Sequence, residues 1–225
     1  IMGLTNLLEV IRRYKKLKLY IHFSTPEVLG DFIKSDEDNE IFNPSTPYAV
    51  SRAAGDMMLK IYGNQYHIPY IITRATNIYG PGQQLYRIIP KTIYSILKNK
   101  KIPLHGGGES SRSFLHVNDM SEALMNLLFN YTVGKCYYIT NNNYVKIKDL
   151  VKLIFEIMNC EYDELVYNVG DRLGKDKDYK LSLGNMQKIG WEAKLPLKEG
   201  LKQVINWMNI HKHNITNEDQ SYIHL

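Results

Sequence analysis

Apolar residues along the first third of the chain recur with two spacings that alternate. Residues 3–16 and 48–66 carry them at helical intervals, whereas residues 19–23 and 70–73 form short continuous apolar runs. Helices that alternate with strands in this way predict parallel strands joined by right-handed crossovers. The chain is therefore predicted to be an α/β protein.

The helix over residues 48–66 has clear start signals and a predicted buried face. Thr46 is a suitable N-cap, and Pro47 suits the first helical position. A stripe at helical spacing predicts the buried face, which consists of Val50, Ala54, Met57, Met58 and Ile61. Tyr48 and Arg52 are predicted to point away from that stripe.

The rest of the chain mixes helices and strands less regularly. Helices are predicted over residues 88–99, 119–130, 148–158 and 197–209, and strands over residues 113–117 and 136–139. The last of these strands is predicted to rejoin the first sheet. Residues 1–80, with the returning strand near 134–141, are assigned to one domain, residues 81–210 mainly to a second, and residues 211–225 to a loose tail.

The composition is that of an ordinary soluble protein, with 225 residues of which 44% are hydrophobic and 23% charged. A net charge of +5 without a long Lys/Arg run argues against nucleic-acid binding and suits a substrate that carries a diphosphate. No apolar run is long enough to span a membrane, and no signal peptide is visible. Cys136 and Cys160, outside any C-x-x-C motif, predict buried thiols in a reducing, cytoplasmic compartment. The histidines have no metal-site spacing.

Candidate chemistry centres on the start of the second helix. Tyr48 and Arg52 are four residues apart, so their side chains are neighbours on a helix surface. A permanent cation next to a phenol favours the phenolate, which can take a proton from a sugar hydroxyl. Thr25 and Asn77 follow predicted strands, and ligands of parallel sheets bind beyond the carboxyl ends of strands. An enzyme is therefore the leading hypothesis.

The sequence lacks a glycine-rich loop for a dinucleotide. It contains no G-x-G-x-x-G or G-x-x-G-x-x-G motif, and the glycine run at residues 106–108 leads into a turn. Residue 1 already adjoins an amphipathic helical pattern. The expectation is that these residues are the later part of a longer protein, and that on their own they bind a dinucleotide weakly or not at all.

A series of short motifs resembles those of the extended short-chain dehydrogenase/reductases that modify nucleotide sugars, with the dTDP-glucose 4,6-dehydratases as the nearest branch. Seven motifs of this family have counterparts in the chain, in the same order. They are G-T-x-N-L-L-E at residues 3–9, S-T-D-E-V-Y-G at 24–30, P-Y-x-x-S-K at 47–52, N-x-Y-G-P at 77–81, R-D-[FW]-x-[HY]-V-x-D at 112–119, D-R-P-G-H-D at 171–176 and L-G-W at 189–191. The resemblance implies the C-terminal part of a Rossmann-type parallel sheet with a smaller mixed α/β substrate-binding domain.

The resemblance also implies an NAD-dependent enzyme and assigns roles to residues at the strand ends. Tyr48 takes the proton of the sugar C4 hydroxyl, to which Thr25 also hydrogen-bonds, while hydride passes to NAD. Glu27 then takes the acidified C5 proton of the 4-keto sugar, an acid helps water to leave from C6, and the hydride returns to C6. Tyr48, Arg52 and Ser24 are assigned contacts with the cofactor, and Arg52 also keeps Tyr48 ionised.

A nucleotide-diphosphate sugar is the implied substrate, and a homodimer is the implied assembly. The residues assigned to hold the nucleotide and its diphosphate are Asn77, Arg87, His105, Arg112, Arg172 and Lys175. Arginine suits this role because its planar fork pairs with two phosphate oxygens at once. The helices over residues 3–16 and 48–66 are expected to pair across the dimer.

Two positions depart from the dehydratase motifs. Pro26 stands where the family has an aspartate that donates a proton, so Glu27 is left to serve as both base and acid. Arg52 stands where the family has a lysine, and the two side chains are not interchangeable. Alternatives with the same fold are a 4-epimerase, against which Glu27 counts, and a UDP-glucuronate decarboxylase. The alternative outside catalysis is a sugar-nucleotide-binding or dimerising remnant.

Overall fold

The computed structural model describes residues 1–30, 37–38, 40–170, 181, 183–213 and 215. Its α-helices are α1 (Met2–Arg13), α2 (Pro47–Tyr66), α3 (Ile88–Leu97), α4 (Val117–Asn130), α5 (Ile147–Met158), α6 (Tyr162–Leu165), α7 (Gly184–Lys188) and α8 (Leu197–Ile210). Its strands are β1 (Tyr20–Phe23), β2 (Tyr70–Ala75), β3 (Asn77–Tyr79), β4 (Ile102–His105), β5 (Ser111–His116), β6 (Cys136–Ile139), β7 (Tyr144–Lys146) and β8 (Val166–Val169). None of these helices combines the length and the apolar character needed to cross a membrane.

The described part of the chain divides into two compact units. The first takes its residues from 1–76, 120–142 and 174–193, and the second from 77–119, 143–173 and 194–225. In the first unit, β1, β2 and β6 form a parallel sheet in that order, with Ile72 opposite both His22 and Cys136. The predicted α/β class, the parallel pairing and the return of the strand at 136–139 to the first sheet are therefore confirmed.

Helices α1 and α2 pack side by side in the first unit. Thr5 donates a hydrogen bond to the sulfur of Met58 (3.0 Å), and the hydroxyl of Tyr62 donates to Glu9 (2.8 Å). Because the partners advance in the same direction along both helices, α1 and α2 run parallel. Leu8 is fully buried and joins the core that these helices share with the sheet.

The buried face of α2 differs from the predicted one. In the predicted stripe, Val50, Met57 and Ile61 are exposed, by 52%, 48% and 58%, so the prediction that they are buried is wrong. Ala54 and Met58 are half-buried, and Met58 packs against the core. The buried positions are Ala49, Ala53, Gly55, Asp56 and Leu59. Small side chains allow a helix to approach its neighbours closely, so the residues that lie innermost on α2 are less bulky than those on its outer face.

Element boundaries differ from the predicted ones by a few residues. The predicted helix over 3–16 ends at Arg13, and the predicted helix over 119–130 begins at Val117. The start signals of α2 are confirmed, since the hydroxyl of Thr46 accepts a hydrogen bond from the backbone N–H of Ala49 (3.1 Å) and Pro47 is the first helical residue. Most of the predicted tail over 211–225 lies outside the described residues. Ile215 is buried in the core of the second unit, so the prediction of a loose tail is wrong at that position.

The second unit contains short strands around a separate core. β3 lies parallel to β5, β7 lies antiparallel to β5, and β4 pairs in parallel with β8. One core draws on β3, β5, α3, α5 and α8, and its fully buried members include Ile93, Ile154 and Leu201. A smaller cluster contains Ile102 and Leu104 of β4. Strands β3, β4, β7 and β8 were not predicted, because runs of only three or four residues give no sustained alternation of apolar and polar positions.

The two cysteines lie in different environments. Cys136 is buried in β6, as predicted, and burial raises the pKa of its thiol well above the ordinary value. Cys160 is exposed, so the prediction of a second buried thiol is wrong. It follows Asn159, whose positive φ of 54° ends α5 and turns the chain away from the packed face of that helix.

Candidate functional site

The segment that follows β1 is a tight, capped turn. Thr25 is the N-cap of a short 3₁₀-helix, Pro26–Leu29, and its hydroxyl oxygen accepts a hydrogen bond from the backbone N–H of Glu27 (3.3 Å). The hydroxyl hydrogen of Thr25 therefore remains available for a ligand. Gly30 closes the turn with a φ of +60°, and a side chain there would collide with the backbone carbonyl of Asn43. This turn fixes Thr25 and Glu27 at the carboxyl end of β1.

The start of α2 contributes a phenol and a guanidinium. The side chain of Tyr48 is 54% exposed in the first turn of the helix. The Nη2 atom of Arg52 donates a hydrogen bond to the backbone carbonyl of Phe23, the last residue of β1. Among the described residues, the Nε atom of Arg52 is buried and has no hydrogen-bond partner. Arg52 thus links α2 to the end of β1 and keeps one donor unused.

A buried carboxylate binds the end of β1 from the middle of α2. Asp56 is fully buried, and its Oδ2 atom accepts hydrogen bonds from the hydroxyl of Ser24 (2.6 Å) and from Arg74 (2.7 Å). Its Oδ1 atom lies 3.1 Å from Nε2 of His22. Burial opposes ionisation of Asp56, but the hydrogen bond with His22 and the charge of Arg74 outweigh it and lower the pKa of Asp56. The hydroxyl of Ser24, predicted to contact the cofactor, is thus engaged with Asp56.

Arg74 extends this cluster across the sheet. Its side chain is fully buried in β2, where it pairs with Asp56 and also donates to Glu40 and to the sulfur of Cys136. Glu40 also accepts hydrogen bonds from Lys60 (3.2 Å) and from the hydroxyl of Tyr138 (3.0 Å). Charged groups without solvent are tolerated only when paired in this way. The cluster therefore ties β1, β2, β6 and α2 together.

His22, Asp56 and Arg74 are the residues of this region that the sequence analysis missed. The available signal was a charged residue inside an apolar element, since Arg74 interrupts the strand at 70–75 and Asp56 lies on the inner face of α2. Charged side chains are almost never fully buried unless paired, so each of these positions required a partner. Sequence alone does not say which partner each one has.

Another buried carboxyl group lies beneath β6. Glu37 accepts hydrogen bonds from the backbone N–H groups of Tyr138 (2.6 Å) and Asn185, and burial raises its pKa to about 7. A cleft of about 200 Å³ lies next to it, and its lining includes Asp38, Lys135 and Lys188. This cleft includes none of the residues assigned to catalysis or binding.

Four of the remaining candidates, Asn77, Arg87, His105 and Arg112, lie in the second unit. The side-chain amide of Asn77 in β3 donates to the backbone carbonyl of Ser113 in β5 (3.4 Å), so Asn77 and Arg112 occupy neighbouring strands. Arg87 precedes α3, with its guanidinium 5.1 Å from the ring centre of Tyr86.

His105 ends β4, where its Nδ1 atom lies 3.3 Å from the backbone carbonyl of Gly170. Arg172 and Lys175 lie outside the described residues. The second unit therefore places Asn77 and Arg112 on paired strands and Arg87 and His105 on other elements.

The chain matches a known protein family. The family model described as the NAD dependent epimerase/dehydratase family matches residues 1–141. The dTDP-D-glucose 4,6-dehydratase of Homo sapiens is 33% identical over 223 residues, which cover 96% of this chain and 64% of that protein. The curated relatives include longer proteins, such as a trifunctional Arabidopsis thaliana enzyme of which the chain covers 32%. The chain thus spans between a third and two thirds of these relatives.

Solved structures share the fold. A dTDP-glucose 4,6-dehydratase from Bacillus anthracis, in complex with NAD, is 31% identical with a TM-score of 0.87, covering 95% of this chain and 68% of that one. A UDP-glucose 4-epimerase from Thermotoga maritima, with UDP-glucose, is 26% identical with a TM-score of 0.86, covering 94% of this chain and 70% of that one. The fold is therefore common to a dehydratase and an epimerase.

Proposed function

The chain belongs to the NAD-dependent epimerase/dehydratase family, and on that premise we propose that the protein is an NAD-dependent nucleotide-sugar 4,6-dehydratase. The observation that carries the proposal is the meeting of two segments in the first unit. Thr25 and Glu27 follow the end of β1, and the helix that carries Tyr48 and Arg52 is bound to that same strand end through the carbonyl of Phe23.

The residues present fit the nicotinamide end of NAD. The buried, unpartnered Nε–H of Arg52 is a donor that a ribose hydroxyl can satisfy. Tyr48, one helical turn earlier, presents a partly exposed hydroxyl that can serve the same ribose and the substrate. The bound cofactor would supply hydride chemistry at the sugar carbons. Arg52 and Tyr48 are the residues proposed to hold it.

Tyr48 and Thr25 handle the proton at the sugar C4 oxygen in this proposal. Tyr48 removes the C4 hydroxyl proton, and the hydroxyl of Thr25, whose oxygen already accepts a hydrogen bond from the backbone N–H of Glu27, donates a hydrogen bond to the same sugar oxygen. General acid–base steps of this kind contribute about 10²–10⁴-fold in rate. The buried position of Thr25, which is 8% exposed, keeps this hydroxyl in a fixed place.

Glu27 distinguishes dehydration from simple epimerisation. Once C4 is a ketone, the neighbouring C5 proton is acidic, and a carboxylate is a suitable base to remove it. A 4-epimerase needs no such base. Pro26 has no proton to donate, and it is buried as the first residue of the 3₁₀-helix. We therefore assign both proton steps at C5 and at the C6 leaving oxygen to Glu27.

The second unit supplies the proposed contacts with the nucleotide and its diphosphate. Asn77 and Arg112 are favoured because they occupy neighbouring strands, and a guanidinium binds phosphate through two parallel hydrogen bonds. Arg87 and His105, together with Arg172 and Lys175, retain the roles that the family resemblance implies. The substrate test below identifies which nucleotide the substrate carries.

We further propose a homodimer in the cytoplasm. The outer faces of α1 and α2 are apolar yet exposed, with Val10 at 64%, Val50 at 52% and Ile61 at 58%. Exposed apolar side chains on two packed helices are typical of interaction sites, and a second copy of the chain would cover them with the same surface. Two cysteines that form no disulfide suit a reducing compartment.

Product analysis tests the proposed reaction. The full-length protein is incubated with dTDP-glucose, UDP-glucose and UDP-glucuronate, and the products are followed by mass spectrometry. Loss of one water from a nucleotide-glucose substrate is the expected result. Loss of carbon dioxide from UDP-glucuronate would make it a decarboxylase, and an unchanged mass with an inverted C4 in the NMR spectrum would make it an epimerase. No conversion of any of them would favour a binding or dimerising remnant.

A further inference from the structure

Tyr48, Arg52 and Asp56 follow one another at four-residue intervals along α2. The second and third members both bind the carboxyl end of β1. Arg52 donates to the carbonyl of Phe23, and Asp56 binds His22 and Ser24. The same stripe of α2 that begins with the proposed base is therefore attached to the strand that leads to Thr25 and Glu27.

Ser24 is the last tether before the reactive turn. Its backbone N–H donates to the carbonyl of Thr73 in β2 (2.9 Å), and its hydroxyl donates to Asp56 (2.6 Å). The next residue, Thr25, already has the dihedral angles of a helix N-cap, with φ at −139°. The position of the turn relative to α2 is therefore set at Ser24.

Asp56 is itself held by groups on both sides. Arg74 donates to it from β2 at 2.7 Å, and His22 lies 3.1 Å away on β1. All of these side chains are at least nine-tenths buried apart from that of Ser24. A buried carboxylate with several short hydrogen bonds has little freedom to shift, so it is a rigid reference point for the segment that it binds.

We propose that Asp56 is a positioning residue, which sets the place of Thr25 and Glu27 relative to Tyr48 through its hydrogen bond with Ser24. The proposal rests on the proposed function. It assigns Asp56 no contact with substrate or cofactor. Misplacement of reacting groups by about 1 Å can lower the rate by about 10²-fold. Loss of the hydrogen bond between Ser24 and Asp56 should therefore lower turnover.

The first test compares Asp56→Asn with Glu40→Gln in the full-length protein. Glu40 is a matched control because its carboxylate binds the same Arg74 in the same cluster, yet its partners lie on β2, β6 and α2 and not on β1. We expect Asp56→Asn to lower kcat by about 10- to 100-fold with KM changed less than about threefold. We expect Glu40→Gln to lower the melting temperature to a similar degree with kcat changed less than about threefold.

A second test uses Ser24→Ala, alone and combined with Asp56→Asn. If both residues act through one hydrogen bond, the double variant should lose no more kcat than the more impaired single variant. Losses that multiply would overturn the proposal, as would a kcat within about threefold of the original in Asp56→Asn. If Asp56→Asn does not fold, Ser24→Ala decides alone, and an unchanged kcat overturns the proposal.

The positioning role of Asp56 and the proposed enzymatic function can be refuted separately. An active full-length enzyme that is inactivated by Tyr48→Phe and unaffected by Asp56→Asn would refute only the positioning role. A full-length protein that converts no nucleotide sugar would refute the proposed function instead.

Discussion

Tyr48 is the single residue on which the proposed chemistry most depends. Its ring is 54% exposed, so the fold does not rely on its hydroxyl. We expect Tyr48→Phe in the full-length protein to lower turnover by about 10²–10⁴-fold, because the proton acceptor at the sugar C4 oxygen is lost. The KM for the nucleotide sugar should stay unchanged. Steady-state kinetics measure both quantities.

Tyr66→Phe is the matched control for that experiment. Tyr66 is on the same helix and is 50% exposed, and its ring lies under Arg12, a contact that phenylalanine keeps. Turnover in this variant should equal that of the original protein. Full activity in Tyr48→Phe would remove Tyr48 from the mechanism.

Glu37 makes the stability of the first unit depend on pH. Its pKa is raised from 4.5 to about 7 in the folded chain, so the folded state holds the proton more tightly than the unfolded state does. Its stabilising effect is complete below about pH 4.5 and is lost as the pH rises to about 7. The free energy of unfolding should therefore fall over this range, by roughly 3 kcal/mol at most. Urea denaturation at several pH values measures it.

Glu37→Gln should remove this decline. The variant starts from a lower stability, because the amide nitrogen of glutamine cannot accept the hydrogen bond that one carboxyl oxygen now accepts. Glu192→Gln, at an exposed glutamate, should keep the original slope. A slope that persists in Glu37→Gln would contradict the assignment.

The candidate residues that the sequence predicted and those that it missed differ in the sequence separation between interacting partners. Tyr48, Arg52 and Thr25 were predictable because their signals are local, namely a four-residue spacing and a strand end. The Asp56 cluster joins positions 34 and 18 residues apart, His22 with Asp56 and Asp56 with Arg74. No local spacing encodes such pairs, so only the fold reveals them.

At the level of elements, periodicity predicted that α2 exists but not which face it buries. Val50, Met57 and Ile61 lie on the outer face, while the inner face is formed by two alanines, a glycine, Asp56 and Leu59. A stripe of Val, Met and Ile is the normal signature of a buried face. In α2 this signature is explained if the outer face is buried against another chain, which is the proposed homodimer.

Ile61→Asp tests the proposed homodimer. Ile61 is 58% exposed, so a charge there should leave the folded protomer intact and prevent apolar faces from associating. We expect the full-length protein to sediment as a dimer and the variant as a monomer. Phe129→Asp on α4 is the control, since Phe129 is 80% exposed but lies outside α1 and α2. A dimer that survives Ile61→Asp would exclude this face.

At the scale of the whole molecule, the two units divide the proposed work. The first unit holds the proposed proton-transfer residues, and the second holds Asn77, Arg87, His105 and Arg112, four of the candidates for nucleotide binding. Each unit is assembled from three separated stretches of the chain. The ordered motifs were sufficient to predict the fold class and the family. They did not predict that residues near 185 belong with the first sheet, where the side chain of Asn185 donates to the carbonyl of Cys136 (2.9 Å).

The sulfur of Cys136, which accepts a hydrogen bond from the guanidinium of Arg74, can report local opening of the first unit. A thiol reagent can reach Cys160 directly, whereas Cys136 is sealed within the sheet until that part of the chain opens. The rate at which Cys136 is alkylated, followed by mass spectrometry, thus measures how often this part of the first unit opens. The alkylation rate of exposed Cys160 serves as the control for the reactivity of the reagent. A ligand that reduces this local opening would slow the alkylation of Cys136 and leave the alkylation rate of Cys160 unchanged.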